Sequence, residues 1–370
     1  MVVEDTARAG QAKRYSSLRY GLAVLDTVYI LGLLFIFQYF GLAKTLAMHI
    51  ENAAGGIFTL PLYSIILFSG YYLLDFPLNL YQSFILEHKF SLSGQKFSGW
   101  LKDQFKAAIL SYVILLILLG AFYYLARHYP ATWWAIVSLF WIFFSLVLAK
   151  LTPLVIIPLF FKYKDLSDTA LKERILALAS KMQVKLLGVY EIDFSKKTLK
   201  ANAAFVGLGS GKRILLADTL KGKYSPDEIE VILAHEFSHY RLRHLLKLVL
   251  INSCAIIFSL YLLFSTSALP LRFFGLSSLT DIAAVPLIII YMFVLGIIIQ
   301  PLQNYLSRRF ERQADALAVK VTGHNSAFIS AMEKLALQNL ADRNPHWLIK
   351  LFFFDHPPID ERIAMAKAAS

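Results

Sequence analysis

The residues His235, Glu236 and His239 form the pattern H-E-x-x-H, in which two histidines are separated by four positions. On an α-helix this spacing places both imidazoles on one face, one turn apart, so that both can bind a single Zn²⁺ ion. The glutamate between them would lie beside the position that the metal leaves open, where it can accept a proton from water. The pattern therefore predicts a zinc-dependent peptidase with Glu236 as its general base.

The residues before the motif indicate that it lies on one continuous helix. Ser225 is a suitable N-cap, Pro226 fits the first helical position, and Glu228 completes a capping box. Apolar residues then follow at helical spacing. The alternative for the bare motif is a helix with two incidental histidines, and a catalytic zinc would still need a third protein ligand.

A candidate third ligand lies in a later polar stretch. Asn304, Arg308, Glu311 and Asp315 are separated by four, three and four positions, so that a helix would present them on one face. The ordinary explanation of such a stripe is a solvated surface with ion pairs. Because the H-E-x-x-H motif lacks a ligand, we favour Glu311 as the metal carboxylate. Asp315, one turn on, could then accept a hydrogen bond from a ligand histidine and so fix the tautomer of that histidine.

A last polar cluster, residues 355–362, contains His356 and Arg362. These two side chains could supply positive charge or hydrogen bonds to a tetrahedral oxyanion. Considered alone, a histidine before two prolines is more often a loop residue. The histidines without a partner pattern are interpreted as structural or solvated: His244, His324 and His346.

The composition indicates a membrane protein. Apolar residues make up 57% of the 370 residues and charged residues only 17%, so much of the surface must face lipid. Pro153 and Pro158 predict a kinked or interfacial continuation of the fourth apolar stretch rather than another crossing. Six stretches are predicted to cross the bilayer as helices, near residues 21–43, 57–82, 106–126, 132–150, 245–265 and 283–303.

The distribution of lysine and arginine predicts the orientation of these spans. The connections after spans two, four and six are rich in basic residues, whereas the other three carry one each, Lys44, Arg127 and Arg272. Six crossings with both termini in the cytoplasm fit this alternation. The zinc site would then face the cytoplasm or open just below its membrane surface. The first apolar run is too long for a signal-peptide core and is predicted to be a retained span.

Neither the charge nor the cysteine content requires a further partner. Basic loops against anionic lipid explain the net charge of +12, and no basic-aromatic pattern predicts nucleic-acid binding. Cys254 is the only cysteine and lies in span five, which excludes an intramolecular disulfide. It is interpreted as a buried, inert thiol.

Two polar blocks, residues 163–244 and 304–370, alternate with the membrane regions 1–162 and 245–303. The first block predicts an amphipathic helix at 171–182 and three strands at 184–192, 202–206 and 213–217, with a hairpin at the glycines between the last two. An edge strand beside the zinc helix could bind an extended peptide through main-chain hydrogen bonds. A purely structural hairpin fits the pattern equally well.

Several motifs taken together resemble a known family. The sequence contains H-E-F-S-H, then N-x-x-S-R-x-x-E-x-x-A-D from Asn304, then H-P-P-x-x-E-R-I from His356, preceded by residues 81–90 with Trp100 and Asp103. Over residues 10 to 365 the chain resembles the integral-membrane zinc metalloproteases of the CAAX prenyl protease 1 type.

The resemblance implies a role for each of eight residues. It assigns zinc ligation to His235, His239 and Glu311, catalysis to Glu236, Asp315 and His356, and substrate binding to Asn202 and Arg362. One Zn²⁺ per chain is the implied cofactor.

The resemblance also implies a mainly α-helical, polytopic fold, in which about six transmembrane helices form a chamber above a cytoplasmic gluzincin-like zinc protease region with a small β-sheet. Eukaryotic members have seven spans and remove three residues from prenylated CAAX proteins, whereas six spans are predicted here. The short chain without an ER-retention motif favours a bacterial inner membrane. The expected partners are the lipid bilayer and a peptide or protein substrate, possibly a lipidated one.

Three functions are compatible with these residues. The first is a membrane-embedded zinc metalloendopeptidase for CAAX-type C-terminal processing or related membrane-protein substrates. The second is a general quality-control protease for membrane proteins, with the same catalytic residues. The third is a transporter or scaffold with a structural zinc, which would require a fourth protein ligand. The sequence leaves the physiological substrate and the oligomeric state open.

Overall fold

The computed structural model describes residues 2–207 and 211–368, and α-helices dominate it, as predicted. The N-terminal part of the chain is helical apart from short connections. Its helices are α1 (Val2–Tyr39), α2 (Leu42–Ala53), α3 (Thr59–Leu80), α4 (Leu86–Lys89), α5 (Phe97–His128), α6 (Trp133–Leu151) and α7 (Ile157–Phe160).

The remainder of the chain contains a small sheet and further helices. Its strands are β1 (Tyr163–Asp165), β2 (Gly188–Ile192), β3 (Ala203–Val206) and β4 (Arg213–Ala217). Its helices are α8 (Thr169–Lys181), α9 (Pro226–Arg241), α10 (His244–Thr266), α11 (Ala268–Phe273), α12 (Val285–Thr322), α13 (Asn325–Asn339), α14 (Trp347–Phe353) and α15 (Ile359–Ala368).

Six helical segments of the described chain are long and apolar enough to cross a membrane, and they correspond to the six predicted spans, although the first ends at Tyr39 rather than at residue 43 and the fourth begins at Trp133 rather than at residue 132. Each extends beyond the bounds that hydropathy predicts, because a helix continues into the polar sequence on one or both sides. The segments are Arg8–Tyr39, Gly56–Lys89, Phe97–His128, Trp133–Phe160, His244–Thr266 and Ile282–Thr322.

The fourth segment confirms the expected continuation at the two prolines. Between α6 and α7, residues Thr152–Ile156 form a π-helical turn, so the helical segment continues through the prolines as one candidate span. Pro153 and Pro158 lie near the start of this turn and of α7, where a missing backbone N–H is tolerated.

The prediction for Cys254 is wrong, since its side chain is exposed rather than buried. Cys254 lies on the outer face of α10, within an apolar segment that can cross a membrane. An apolar position in such a segment is as well suited to lipid as to a protein interior, so apolarity alone does not indicate which way the side chain points.

The longest of the later helices, α12, joins a membrane span to the polar stripe. Its 38 residues correspond to about 57 Å at 1.5 Å per residue, whereas a hydrocarbon core is about 30 Å thick. The apolar first half can therefore cross the bilayer while the second half extends beyond it. Asn304, Arg308, Glu311 and Asp315 lie on this second half, and all four are buried. The solvated-surface interpretation of the stripe is wrong.

The sheet has the strand order β1-β2-β4-β3. Strands β3 and β4 are antiparallel with Phe205 opposite Ile214, which confirms the predicted hairpin; the residues 208–210 of its turn lie outside the described part. The strand predicted at 184–192 begins only at Gly188, and it pairs in parallel with β4. Strand β1 was not predicted because three residues are too few for a periodic signal. Strand β3 has one neighbour in the sheet and is an edge strand.

Helix α9 lies against the sheet and begins as the sequence predicts. The Ser225 hydroxyl accepts a hydrogen bond from the backbone N–H of Glu228, and the Glu228 carboxylate accepts one from the backbone N–H of Ser225. Such caps are typically worth about 1 kcal/mol. Leu233 and Phe237 of α9 are fully buried in one cluster with Val189 and Ile214 of the sheet. The apolar face of α9 thus faces the sheet, which leaves its histidine face for α12.

Candidate active site

Two helices that are distant in sequence bring the predicted metal ligands together. Helix α9 carries His235 and His239, and Glu311 lies on the polar second half of α12, the helix that packs most extensively against α9. The ligand atoms of the three residues all lie within 4.8 Å of one another. The sequence spacing therefore leads to the same three residues that the tertiary structure places around one point.

The distances between the candidate ligand atoms are short. The Nε2 atom of His235 lies 3.1 Å from Glu311 Oε2, and Nε2 of His239 lies 3.2 Å from Glu311 Oε1. The two Nε2 atoms are themselves 3.1 Å apart. Glu311 Oε2 is buried and has no hydrogen bond of acceptable geometry, although two imidazoles are close to it. Buried carboxylate oxygens normally have a partner, and a cation held by this cluster would supply it.

The other nitrogen of each ligand histidine is already engaged. The Nδ1 atom of His235 lies 2.8 Å from Asp315 Oδ1, as the position of Asp315 one turn after Glu311 suggests. The Nδ1 atom of His239 lies 3.1 Å from Nδ1 of His244. Such outer partners orient a ligand imidazole and leave its second nitrogen free for a metal.

Arg362, to which the resemblance assigns substrate binding, contacts Asp315 and His235 of the site. Its guanidinium donates two hydrogen bonds to Asp315, from Nε to Oδ2 at 2.8 Å and from an Nη atom to Oδ1 at 2.6 Å. The same Nη atom lies 3.5 Å from Nδ1 of His235. This bidentate pair holds the Asp315 carboxylate against the imidazole. These contacts make Arg362 a positioning group for Asp315, and its predicted role in substrate binding stays a prediction.

His356 does lie at the metal site. Its Nε2 atom is 3.3 Å from Glu311 Oε2, and its Nδ1 atom is 2.8 Å from Asp355 Oδ1. Its side chain is 52% exposed, far more than the 7% of Glu311. His356 is thus at the mouth of the site, where a substrate could reach it.

Two buried polar residues of α12 hold the segment around α14, which precedes His356, in position. Asn304 Nδ2 donates to the carbonyls of Leu351 and Phe352, and Arg308 donates to two further carbonyls of the α14 region at 2.9 and 2.6 Å. These bonds fasten α14 to the helix that carries Glu311. The stripe on α12 therefore has two roles, with anchoring groups at one end and site groups at the other.

Glu236 is half-buried on α9, next to His235. Within the part of the chain that the structure describes, its carboxylate has no hydrogen bond or ion pair. An acidic group that is neither paired nor fully exposed can accept a proton from a water molecule, which fits a general base.

Asn202 immediately precedes the edge strand β3, and its side chain is exposed. Its backbone carbonyl accepts a hydrogen bond from the backbone N–H of Ala217 at 3.1 Å. Phe205 of β3 packs against Phe237 and Tyr240 of α9, with ring centroids 5.9 Å apart in both cases. The edge strand therefore lies beside the helix of the metal ligands.

The carboxylates around His235 and His356 favour a positive charge at the candidate metal site. Burial alone would lower the pKa of His235, but the carboxylates of Asp315 and Glu311 outweigh it and raise the pKa to about 9. The pKa of His356 is also raised, because Asp355 and Glu311 outweigh the effect of burial. A bound cation would satisfy the same carboxylates.

Sequence reasoning missed two residues at the site. His244 is fully buried against His239, and Gln313 contacts His244, with its Oε1 atom 3.1 Å from His244 Nε2. His244 lies five positions after His239 and has no partner pattern in the sequence, which favours a structural or solvated histidine. Residues five apart on one helix do not share a face, so spacing carries no signal for this pair.

Taken together, two histidines on one helix, a glutamate on a later helix and a half-buried glutamate between the histidines form a group that could hold a metal ion, and they define the class of a metalloprotease in a helical membrane fold. The comparisons with known proteins agree. Residues 165–370 match the model of peptidase family M48, and residues 4–162 match the model described as CAAX prenyl protease N-terminal, five membrane helices. The chain belongs to peptidase family M48 and is a multi-pass integral membrane metalloprotease.

Individual relatives extend this result to nearly the whole chain. The chain is 30% identical over 368 residues to the uncharacterized metalloprotease YhfN of Bacillus subtilis, which covers 96% of this chain and 84% of that protein. It is 32% identical over 311 residues to CAAX prenyl protease 1 of Saccharomyces cerevisiae, which covers 79% of this chain and 68% of that protein.

A solved structure has the same fold. The crystal structure of S. mikatae Ste24p superposes with a TM-score of 0.87 at 24% identity, over 97% of this chain and 89% of that one. Membership of a protease family removes the transporter or scaffold interpretation.

Proposed function

We propose that this protein is a zinc metalloendopeptidase that hydrolyses peptide bonds near the C-terminus of membrane-associated substrates, at a site on the cytoplasmic side. The observation that carries the proposal is the convergence of two imidazole Nε2 atoms and one buried carboxylate, with both Nδ1 atoms already engaged. Two nitrogens and one oxygen are a ligand set of catalytic zinc, which keeps a fourth position open.

Each residue of the site would have a distinct role in the hydrolysis. His235, His239 and Glu311 would hold the zinc. When bound, zinc would lower the pKa of water and polarise the scissile carbonyl. Glu236 would accept a proton from the attacking water as its oxygen bonds to the carbonyl carbon, and would pass that proton to the amine that leaves when the C–N bond breaks. His356 would donate a hydrogen bond to the oxyanion. Asp315, held by Arg362, would keep His235 in its metal-binding tautomer.

The location of the protein is inferred from charge. The connections after spans two, four and six contain most of the loop lysines and arginines, which supports an orientation with the site and both termini in the cytoplasm. A bacterial inner membrane fits this orientation and the similarity to a Bacillus subtilis protein.

A cavity next to the site supports a C-terminal substrate. It has a volume of about 520 Å³, and His356 and Arg362 line it together with Arg19 and Lys200. Lys200 is paired with Glu87 at 2.8 Å, whereas Arg19 lies over the ring of Tyr15, 5.6 Å from its centroid. Among the described residues no carboxylate pairs with Arg19.

Arg19 is therefore the cation that this cavity offers to an incoming anion, although Asp342 and Asp355 also line it. The terminal carboxylate of a peptide would fit this position while the scissile bond lies near His356. The relatives named CAAX prenyl protease 1 agree with this substrate class, because a CAAX sequence is the C-terminus of its protein.

Replacing Arg19 by glutamine should lower kcat/KM for a short peptide with a free C-terminal carboxylate by about 10-fold, the value of one charge-assisted hydrogen bond. Cleavage of the same peptide with a C-terminal amide should change little. Steady-state cleavage of the two peptides measures this. Arg14→Gln is the matched control, since Arg14 is an exposed arginine of the same helix that does not line the cavity. An equal loss for both peptides would contradict the carboxylate assignment.

The substrate class can be tested in native membranes by comparing the peptides released by the intact enzyme and by its Glu236→Gln form. Enrichment of short C-terminal peptides, with or without a lipidated cysteine upstream, is expected. Internal fragments of damaged membrane proteins without C-terminal peptides would instead favour a quality-control protease.

A further inference from the structure

His244 occupies an unusual position beside the candidate metal ligands. It is fully buried, and its ring stacks on that of Phe310 with centroids 4.7 Å apart and an angle of 18° between the planes. Its two nitrogens have different neighbours, Nδ1 of His239 at 3.1 Å and Oε1 of Gln313 at 3.1 Å. His244 therefore links a ligand histidine to a side chain of α12.

The backbone turn between α9 and α10 makes this contact possible. Arg243 adopts φ 55° and ψ 34°, the left-handed conformation that a residue with a side chain rarely adopts. Helix α9 ends at Arg241, and α10 starts at His244 immediately after Arg243. The unfavourable conformation costs about 1 kcal/mol, and it turns the His244 ring back towards His239.

The hydrogen-bond inventory of these groups determines where the protons lie. A neutral imidazole has one N–H donor and one acceptor nitrogen. The amide oxygen of Gln313 can only accept, so Nε2 of His244 must carry the proton. Nδ1 of His244 is then an acceptor, and the facing Nδ1 of His239 must donate. Nε2 of His239, which faces Glu311, is left with its lone pair.

We propose that Gln313 and His244 form a hydrogen-bond relay that fixes His239 in the tautomer able to bind the metal. This inference rests on the proposed zinc site. The relay makes His244 and Gln313 positioning residues, and it gives the two ligand histidines different supports: a carboxylate for His235 and a neutral imidazole for His239.

The direction of the relay depends on the amide of Gln313. If its NH₂ group faced His244 instead, each proton would move to the other nitrogen of its ring, and Nε2 of His239 would carry a hydrogen. A carboxylate at this position could only accept and would enforce the metal-binding direction. An apolar side chain of similar length would enforce neither direction of the relay. Gln313 is exposed, so these substitutions leave the protein interior intact.

The test is the zinc affinity of the purified full-length chain in detergent, measured by competition with a chelator after metal removal. His244→Leu should weaken zinc binding by about 10- to 100-fold, the usual effect of losing an outer partner of a ligand. His244→Asn should recover most of the affinity, because its Oδ1 atom is an acceptor near the position of Nδ1. Gln313→Met should weaken binding, whereas Gln313→Glu should bind zinc at least as tightly as the native chain.

The outcomes separate the relay from the proposed function. A native chain without zinc affinity would refute the metalloprotease site itself. Tight native binding together with a His244→Leu affinity within about threefold of it would overturn only the relay. Equal weakening by Gln313→Met and Gln313→Glu would overturn it too, and these two variants remain informative if His244→Leu does not fold.

Discussion

Replacing Glu236 by glutamine is expected to abolish nearly all turnover while zinc remains bound. Glutamine has the size of glutamate but cannot accept the proton of the attacking water. General acid–base catalysis typically contributes about 10²- to 10⁴-fold, which corresponds to roughly 3 to 5.5 kcal/mol in the activation free energy. The effect should fall on kcat, because Glu236 lies outside the three-ligand cluster and has no hydrogen bond to it.

Two measurements on one preparation check this prediction: peptide cleavage and zinc content by elemental analysis. Glu173→Gln on α8 is a matched control, since it makes the same change at an exposed position away from the site. Stoichiometric zinc with unchanged proteolysis in Glu236→Gln would remove Glu236 from the mechanism.

Replacing Glu311 by alanine is expected to remove the metal. Its carboxylate contacts both ligand imidazoles, at 3.1 and 3.2 Å, and alanine leaves only two protein ligands. Loss of an outer partner typically costs 10- to 100-fold in metal affinity, so loss of a direct ligand should cost on the order of 100-fold or more. Proteolysis should fall with the metal and should not be restored by moderate added zinc.

The zinc content of the purified variant and its chelator-competition affinity measure this effect. Glu333→Ala on α13 is the matched control, because Glu333 is an exposed glutamate far along the next helix. Glu311→Asp should retain weak binding, since the carboxylate persists on a shorter side chain. Near-stoichiometric zinc in Glu311→Ala would show that Glu311 is not a ligand.

Several features of this fold could be predicted because their signals are local. The six spans follow from runs of apolar residues, and the helix of His235 and His239 follows from a capping box and helical periodicity within a few turns. The β3–β4 hairpin follows from glycines between two short apolar runs. The exposure of Cys254 could not be predicted, because a lipid-facing position and a protein interior require the same kind of residue.

The site required more than local signals. Glu311 could be favoured because a metal with two ligands needs a third and because the family resemblance assigns a ligand to this position, whereas the stripe on α12 considered alone is ordinarily a solvated surface. The burial of that stripe results from the packing of α12 against α9 and α14. The pairing of Arg362 with Asp315 joins residues 47 positions apart, and no spacing rule connects them.

The sequence by itself determined which residues can bind a metal, which helix presents two of them on one face, and which stretches cross a membrane. Each of these depends on interactions within one or two helical turns, or on the apolarity of one continuous segment. The tertiary structure alone decided that Glu311 meets the two imidazoles, that Arg362 holds Asp315, and that a left-handed turn at Arg243 returns His244 to His239. Those contacts arise from the packing of separate elements and from one rare backbone conformation, neither of which residue spacing records.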